Sequence, residues 1–217
     1  MSFLLPRFAS AGERERFTRR LEAFSDLVFG FSLSLLAFRL DVPANARDVF
    51  NATRVVPFVV TFAIICGMWL EHYRIFHYHF VAYPLEIIIN FVFLFGLAVL
   101  PFAVQTFIQF PREPISLALY FGDFALVLLA LSILRWRGLI QRRSDLDERE
   151  RLRDWKRLLV HSTIALIMIA MVVALVTQLV PVESLINYFT PVILAFVLLL
   201  RFSVRRLPEF LRNGPGR

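Results

Sequence analysis

Long apolar runs recur along this chain, and they limit what it can fold into more than any other feature. A helix needs about 20 predominantly apolar residues to cross the hydrocarbon of a bilayer. Six segments reach or approach that length: roughly Ala23–Leu40, Val55–Tyr73, Ile87–Gln109, Ile115–Trp136, Leu158–Leu179 and Leu185–Phe202. Prolines punctuate them. Pro57 sits in a first turn, where proline is tolerated, Pro111 and Pro114 lead into the fourth run, and Pro181 ends the fifth. Pro101 and Pro191 fall inside the third and sixth runs, and a kink is expected in the third. Only 19% of the residues are charged and 58% are hydrophobic, against about a quarter charged in soluble domains. The expected fold is an all-α integral membrane protein, one six-helix unit over residues 1–217.

Charge sets the orientation. Nearly all of the positive charge is arginine, Lys156 being the only lysine. If both termini are cytoplasmic, twenty of the 24 basic residues fall in cytoplasmic segments, leaving Arg39, Arg47, Arg54 and Arg112 outside. Cytoplasmic loops of membrane proteins carry such an excess, so the basic character reads as topology and not as nucleic-acid binding. Trp69, Trp136 and Trp155 then lie at the inner boundary, as an aromatic belt would. The first run has no small-residue cleavage site at its end, so it is expected to stay as a membrane helix. Between the fourth and fifth runs lies Gln141–Lys156, whose dense mixed charge suits a helical extension with i,i+4 pairs. Cys66 is the only cysteine, which excludes an intrachain disulfide. Asn51-Ala-Thr53 matches the glycosylation tripeptide and is read as a chance match.

Polar groups inside the runs are the candidate functional residues, because ionisable groups in hydrocarbon are costly. Asp26 and Ser25 lie near the inner end of the first run, with Arg20 as the nearest basic neighbour in sequence. At 100° per residue, Leu27, Phe31, Ser34 and Phe38 form one narrow stripe on that helix, flanked by Leu35. Asp26 lies about 100° to one side of the stripe. Such a face either packs in a core or lines a pathway. Asp123 lies deeper, in the fourth run, with no basic residue near it in sequence. Asn90, Gln105, Thr106 and Gln109 suit helix-packing hydrogen bonds. His72, His77 and His79 stand beside Glu71 at the inner end of the second run, where packing and hydrogen bonding are expected in preference to a metal. No catalytic motif, phosphate loop or carbonyl-lined potassium filter is present in the sequence, and no cofactor or enzymatic activity is expected.

Arg20-x-x-x-Phe24-Ser25-Asp26 resembles the defining motif of the transmembrane-protein-175 potassium channels. Met-Trp-Leu-Glu-His72-Tyr-Arg-Ile-Phe76 is similar to the end of that family's second helix, and the stretch from Asn90 to Phe102 to its third. The count of six runs matches the bacterial branch. The resemblance implies a homotetramer in the cell membrane that conducts potassium ions, with the first helix of each subunit lining a central pore. It implies a hydrophobic constriction at Phe31, Ser34 or Leu35, and Phe38, and a network of Arg20, Ser25 and Asp26 near the inner mouth. The family usually has isoleucine or leucine where this chain has Phe31. Water and ions held back by such a ring until it widens would make a dewetting gate with modest potassium preference. Two other readings stay open: a proton pathway through Asp26, Asp123 and the histidines, and a non-conducting structural or regulatory protein whose basic inner segment binds anionic membrane lipid.

Overall fold

The computed structural model describes residue 8 and residues 10–38, 52–141 and 147–184. They form five long helices, α1 (Ala11–Phe38), α2 (Ala52–Tyr78), α3 (Pro84–Gln109), α4 (Pro114–Gln141) and α5 (Glu148–Val176), and a helical turn, α6 (Val182–Ser184). All five long helices have the length and apolar composition to cross a membrane. The sixth expected run, Leu185–Phe202, lies outside the described residues, as do Arg39, Arg47 and Asn51.

The helices are longer than the apolar runs because their charged ends are also good helix formers. α1 starts twelve residues before Ala23. The reason is local: Ser10 Oγ accepts from the Glu13 amide at 3.2 Å in a Ser-x-x-Glu start, and Arg19 pairs with Glu15 one turn back at 2.9 Å. α5 starts at Glu148, with Asp147 as its cap, so the charged stretch is helical from there onward. At about 1.5 Å per residue, helices of 26 to 29 residues exceed the roughly 30 Å of hydrocarbon. Their ends therefore reach into the interfacial layers.

α3 lies between α4 and α1; α5 packs along α4, and α2 leans on α1 and touches α3 and α4. Two glycines permit the closest approaches. A methyl at Gly96 of α3 would stand 2.7 Å from Val127 of α4, and one at Gly138 of α4 would stand 2.3 Å from the β-carbon of His79, just after α2. Pro101 lies inside α3 and has no N–H to offer the carbonyl of Leu97. That carbonyl is satisfied from another helix: Ser32 Oγ of α1 stands 2.9 Å from it.

Candidate functional site

α1 has two faces. Leu21, Ser25, Phe29, Ser32 and Leu36 recur every three or four residues and are buried on the rest of the subunit. The opposite face has no cover among the described residues: Leu27, Phe31, Leu35 and Phe38 are 63%, 69%, 47% and 84% exposed. Ala23, Asp26, Leu27, Gly30, Phe31 and Ser34 line one shallow groove along this face. Ser34 spends its hydroxyl on its own helix, donating to the Gly30 carbonyl at 2.8 Å. The stripe expected from helical spacing is thus on one side of α1, pointing away from the fold.

The buried face of α1 is tied to α3 and α2 by a polar chain. Ser25 donates to the Leu21 carbonyl at 2.8 Å, Asn90 of α3 donates to Ser25 Oγ at 3.3 Å, and His72 Nε2 of α2 lies 2.9 Å from Asn90 Oδ1. With Oδ1 as acceptor, Nε2 is the nitrogen that carries the proton. The His72 ring stacks on Phe76 and Phe93, with centroids 4.4 and 5.1 Å away, and meets Phe29 edge-on. These contacts lock both the ring and the direction of the hydrogen bonds.

The other motif residues separate. Asp26 accepts from Trp69 Nε1 at 2.8 Å on the exposed side. Phe24 meets Phe91 of α3 edge-on at 6.2 Å. Arg20 is exposed and is joined to neither Ser25 nor Asp26 within the chain. Asp123 is buried in α4 near Gly96, apart from all of these, and its Oδ2 has no hydrogen-bond partner among the described residues. Thr106 bonds back to the Phe102 carbonyl at 2.9 Å, as a packing residue does.

An ionic cluster at the C-terminal ends of α2 and α4 and the N-terminal end of α5 escaped the sequence reading. Arg135 is completely buried; it donates to Glu71 at 2.5 Å and lies 3.8 Å from Asp154. His79 Nε2 stands 2.9 Å from the other oxygen of Asp154, and Arg74 donates to Glu71 at 2.7 Å. Beside it, Glu86 accepts from Arg137 at 2.5 Å and Gln141 at 2.7 Å. The only signal was that acids sit among the basic inner ends. Nothing in the linear spacing says which of them face inward.

Comparison with known proteins bears on the same residues. The family model described as endosomal/lysosomal potassium channel TMEM175 matches residues 20–101, which includes α2 and most of α1 and α3. A potassium channel of Marivirga tractuosa is 29% identical over 130 residues, 59% of this chain and 49% of that protein. A potassium channel of Streptomyces collinus is 26% identical over 121 residues, 52% of this chain and 59% of that protein. The chain thus spans about half the length of the curated relatives it matches. These relatives are named as channels, a non-enzymatic class, in agreement with the absence of a catalytic motif. A crystal structure of a variant of the potassium channel MtTMEM175, in complex with a nanobody fusion protein, has the same fold. Its TM-score is 0.61 at 18% identity, over 88% of this chain and 90% of that one. Over residues 20–101 this multi-pass membrane chain is thus similar in sequence to the TMEM175 potassium channels, and over most of its length it is similar in fold to one of them.

Proposed function

We propose that this chain is one subunit of a potassium-preferring cation channel, a homotetramer whose α1 helices surround a central pathway. The observation that carries the reading is the division of α1 into a face tied to its own subunit and an apolar face without cover along Leu27, Phe31, Leu35 and Phe38. Lipid could cover that face, but the family match covers this helix and the relatives are named potassium channels. Rotational symmetry is the simplest way for one helix per subunit to enclose a path. Phe31, Ser34, Leu35 and Phe38 then form the constriction. The Ser25–Asn90–His72 chain fixes the rotation of α1, and Asp26, held by Trp69, with Arg20 is left free to meet a neighbouring subunit near the inner mouth. Residues 1–217 act as one six-helix unit in the cell membrane, with both termini cytoplasmic and inner arginines at the lipid headgroups.

An aromatic ring from each of four subunits at Phe31 makes a wide hydrophobic plug, and dewetting at such a plug limits flux. Potassium sheds its hydration more easily than sodium and passes more readily. The test is flux from purified protein in liposomes, with potassium, sodium and protons compared and the subunit count measured by mass. Phe31→Ala is expected to raise cation flux in a folded tetramer; unchanged flux removes Phe31 from the gate. Absence of cation flux from oligomeric wild type would instead favour the non-conducting reading.

A further inference from the structure

Asp123 is unlike the other acids of the bundle. It lies nine residues into α4, about 14 Å along the helix axis from Pro114. It is 6% exposed, its Oδ2 has no hydrogen-bond partner, and it forms no ion pair among the described residues. It sits at a close approach of α3 and α4: a methyl on Gly96 would stand 2.7 Å from Val127 Cγ2 and 3.4 Å from Asp123 Oδ1. The described residues around it offer no countercharge. α3 carries no charged side chain between Ile87 and Gln109, and α5 none between Ser162 and Val176. In α2 the only titratable side chain between Val55 and Leu70 is Cys66, and on α4 itself the nearest is Tyr120, one turn earlier. The acid of α1, Asp26, is held by Trp69.

A bare carboxylate in such a place loses its hydration and gains nothing in return. A neutral carboxyl costs far less to bury than a carboxylate. We propose that Asp123 is a proton-binding site: the packed bundle holds its carboxyl neutral, and ionisation draws water in and parts α3 from α4 at Gly96. The step is an association in which one carboxylate oxygen takes up a proton delivered by water and no other bond changes. Its position gives the step reach. Gly96 is followed by Leu97, whose carbonyl holds Ser32 of α1, so loosening the seam bears on the helix whose other face carries Phe31. The inference does not depend on the channel reading, and its test does not use flux.

The experiment is infrared spectroscopy of the full-length protein in lipid, with carboxyl-13C aspartate to mark aspartic acids, together with thermal unfolding across pH. A protonated-carboxyl band is expected at neutral pH, shifted by the label, lost on alkalinisation and absent from Asp123→Asn. Because the folded state holds a proton that the unfolded chain releases, wild-type Tm should fall as pH rises from acid to alkaline. The same fall should be missing in Asp123→Asn and in the apolar variant Asp123→Leu. A label-sensitive band that persists in Asp123→Asn, or no such band in wild type at neutral pH, overturns the proposal. So does a Tm slope shared by wild type and both variants. If neither variant folds, the labelled wild-type band and its loss with pH decide alone.

Discussion

Ser32 of α1 donates its hydroxyl to the carbonyl oxygen of Leu97 in α3, at 2.9 Å. This is the carbonyl that would have bonded to the amide of residue 101, had that residue not been proline. In hydrocarbon there is no water to satisfy it, so the proline's neighbour helix must. The same hydroxyl lies 2.9 Å from the Val28 carbonyl and divides one proton between two acceptors. Seven residues earlier on the same face, Ser25 meets Asn90 of the same partner helix. Two serines two turns apart thus fix α1 on α3 in both depth and rotation.

Ser32→Ala is expected to cost about 1 kcal/mol, the size of a buried hydrogen bond lost within a membrane bundle. Pro101→Ala returns an N–H to Leu97, so in that background Ser32→Ala should cost much less. Equilibrium unfolding of the two single variants and the double variant measures the coupling. Strict additivity would mean that the contact does not serve the orphaned carbonyl.

Asn90 serves two partners on two helices, whereas Ser25 has a second bond within its own helix. Asn90→Ala leaves His72 unpaired in a closed aromatic cage and should cost about 2–3 kcal/mol. Ser25→Ala should cost about 1 kcal/mol. The order of the two unfolding midpoints checks this, and a Ser25→Ala cost equal to or above that of Asn90→Ala contradicts it.

Arg135 balances Glu71 and Asp154 from a position with no exposure. Arg135→Met removes one partner of a buried ion pair and should cost about 3–5 kcal/mol. Glu71→Gln on top of it should restore part of the loss, because without Arg135 that half-buried carboxylate keeps only the partly exposed Arg74 as a close ion-pair partner. Arg135→Lys should rescue poorly, since a compact ammonium on a different stem does not reproduce the planar guanidinium's reach to Glu71 alongside Asp154. Thermal unfolding in detergent ranks the three variants; a double variant less stable than Arg135→Met would refute the pairing.

Two glycines should respond differently to alanine. At Gly138 the new methyl meets backbone, with His79 Cα and O at 3.0 Å as well as its Cβ. Helix and turn must move apart, at a cost of about 2 kcal/mol. At Gly96 the closest atom is the end of the Val127 side chain, which can rotate, and alanine's helix propensity offsets up to about 1 kcal/mol. Gly96→Ala is therefore expected near neutral. Equal losses of Tm in the two variants would argue against this distinction.

Much of this protein was legible in the chain itself. Five of the six apolar runs are long helices, because hydropathy and length are local properties and the bilayer acts on them directly. The Leu27–Phe31–Ser34–Phe38 stripe also followed from 3.6-residue periodicity, and the fold leaves that stripe outward. Helix ends were read short at Ala23 and Leu158 because charge marks where apolar character stops, and not where hydrogen bonding within the helix stops.

Tertiary structure alone decided which polar groups meet. Ser32 was one serine among several until the Leu97 carbonyl came opposite it. Asp26 had Arg20 as its sequence neighbour, yet its partner is Trp69, 43 residues away. Arg135, Glu71 and Asp154 read as inner-end charges that orient the chain, and they are in fact a buried cluster joining three helices. The reason is geometric. Periodicity assigns each residue an angle on its own helix. A contact also requires the depth and rotation of a second helix, and these are set by packing at sites such as Gly96 and Gly138, where neighbouring elements come close.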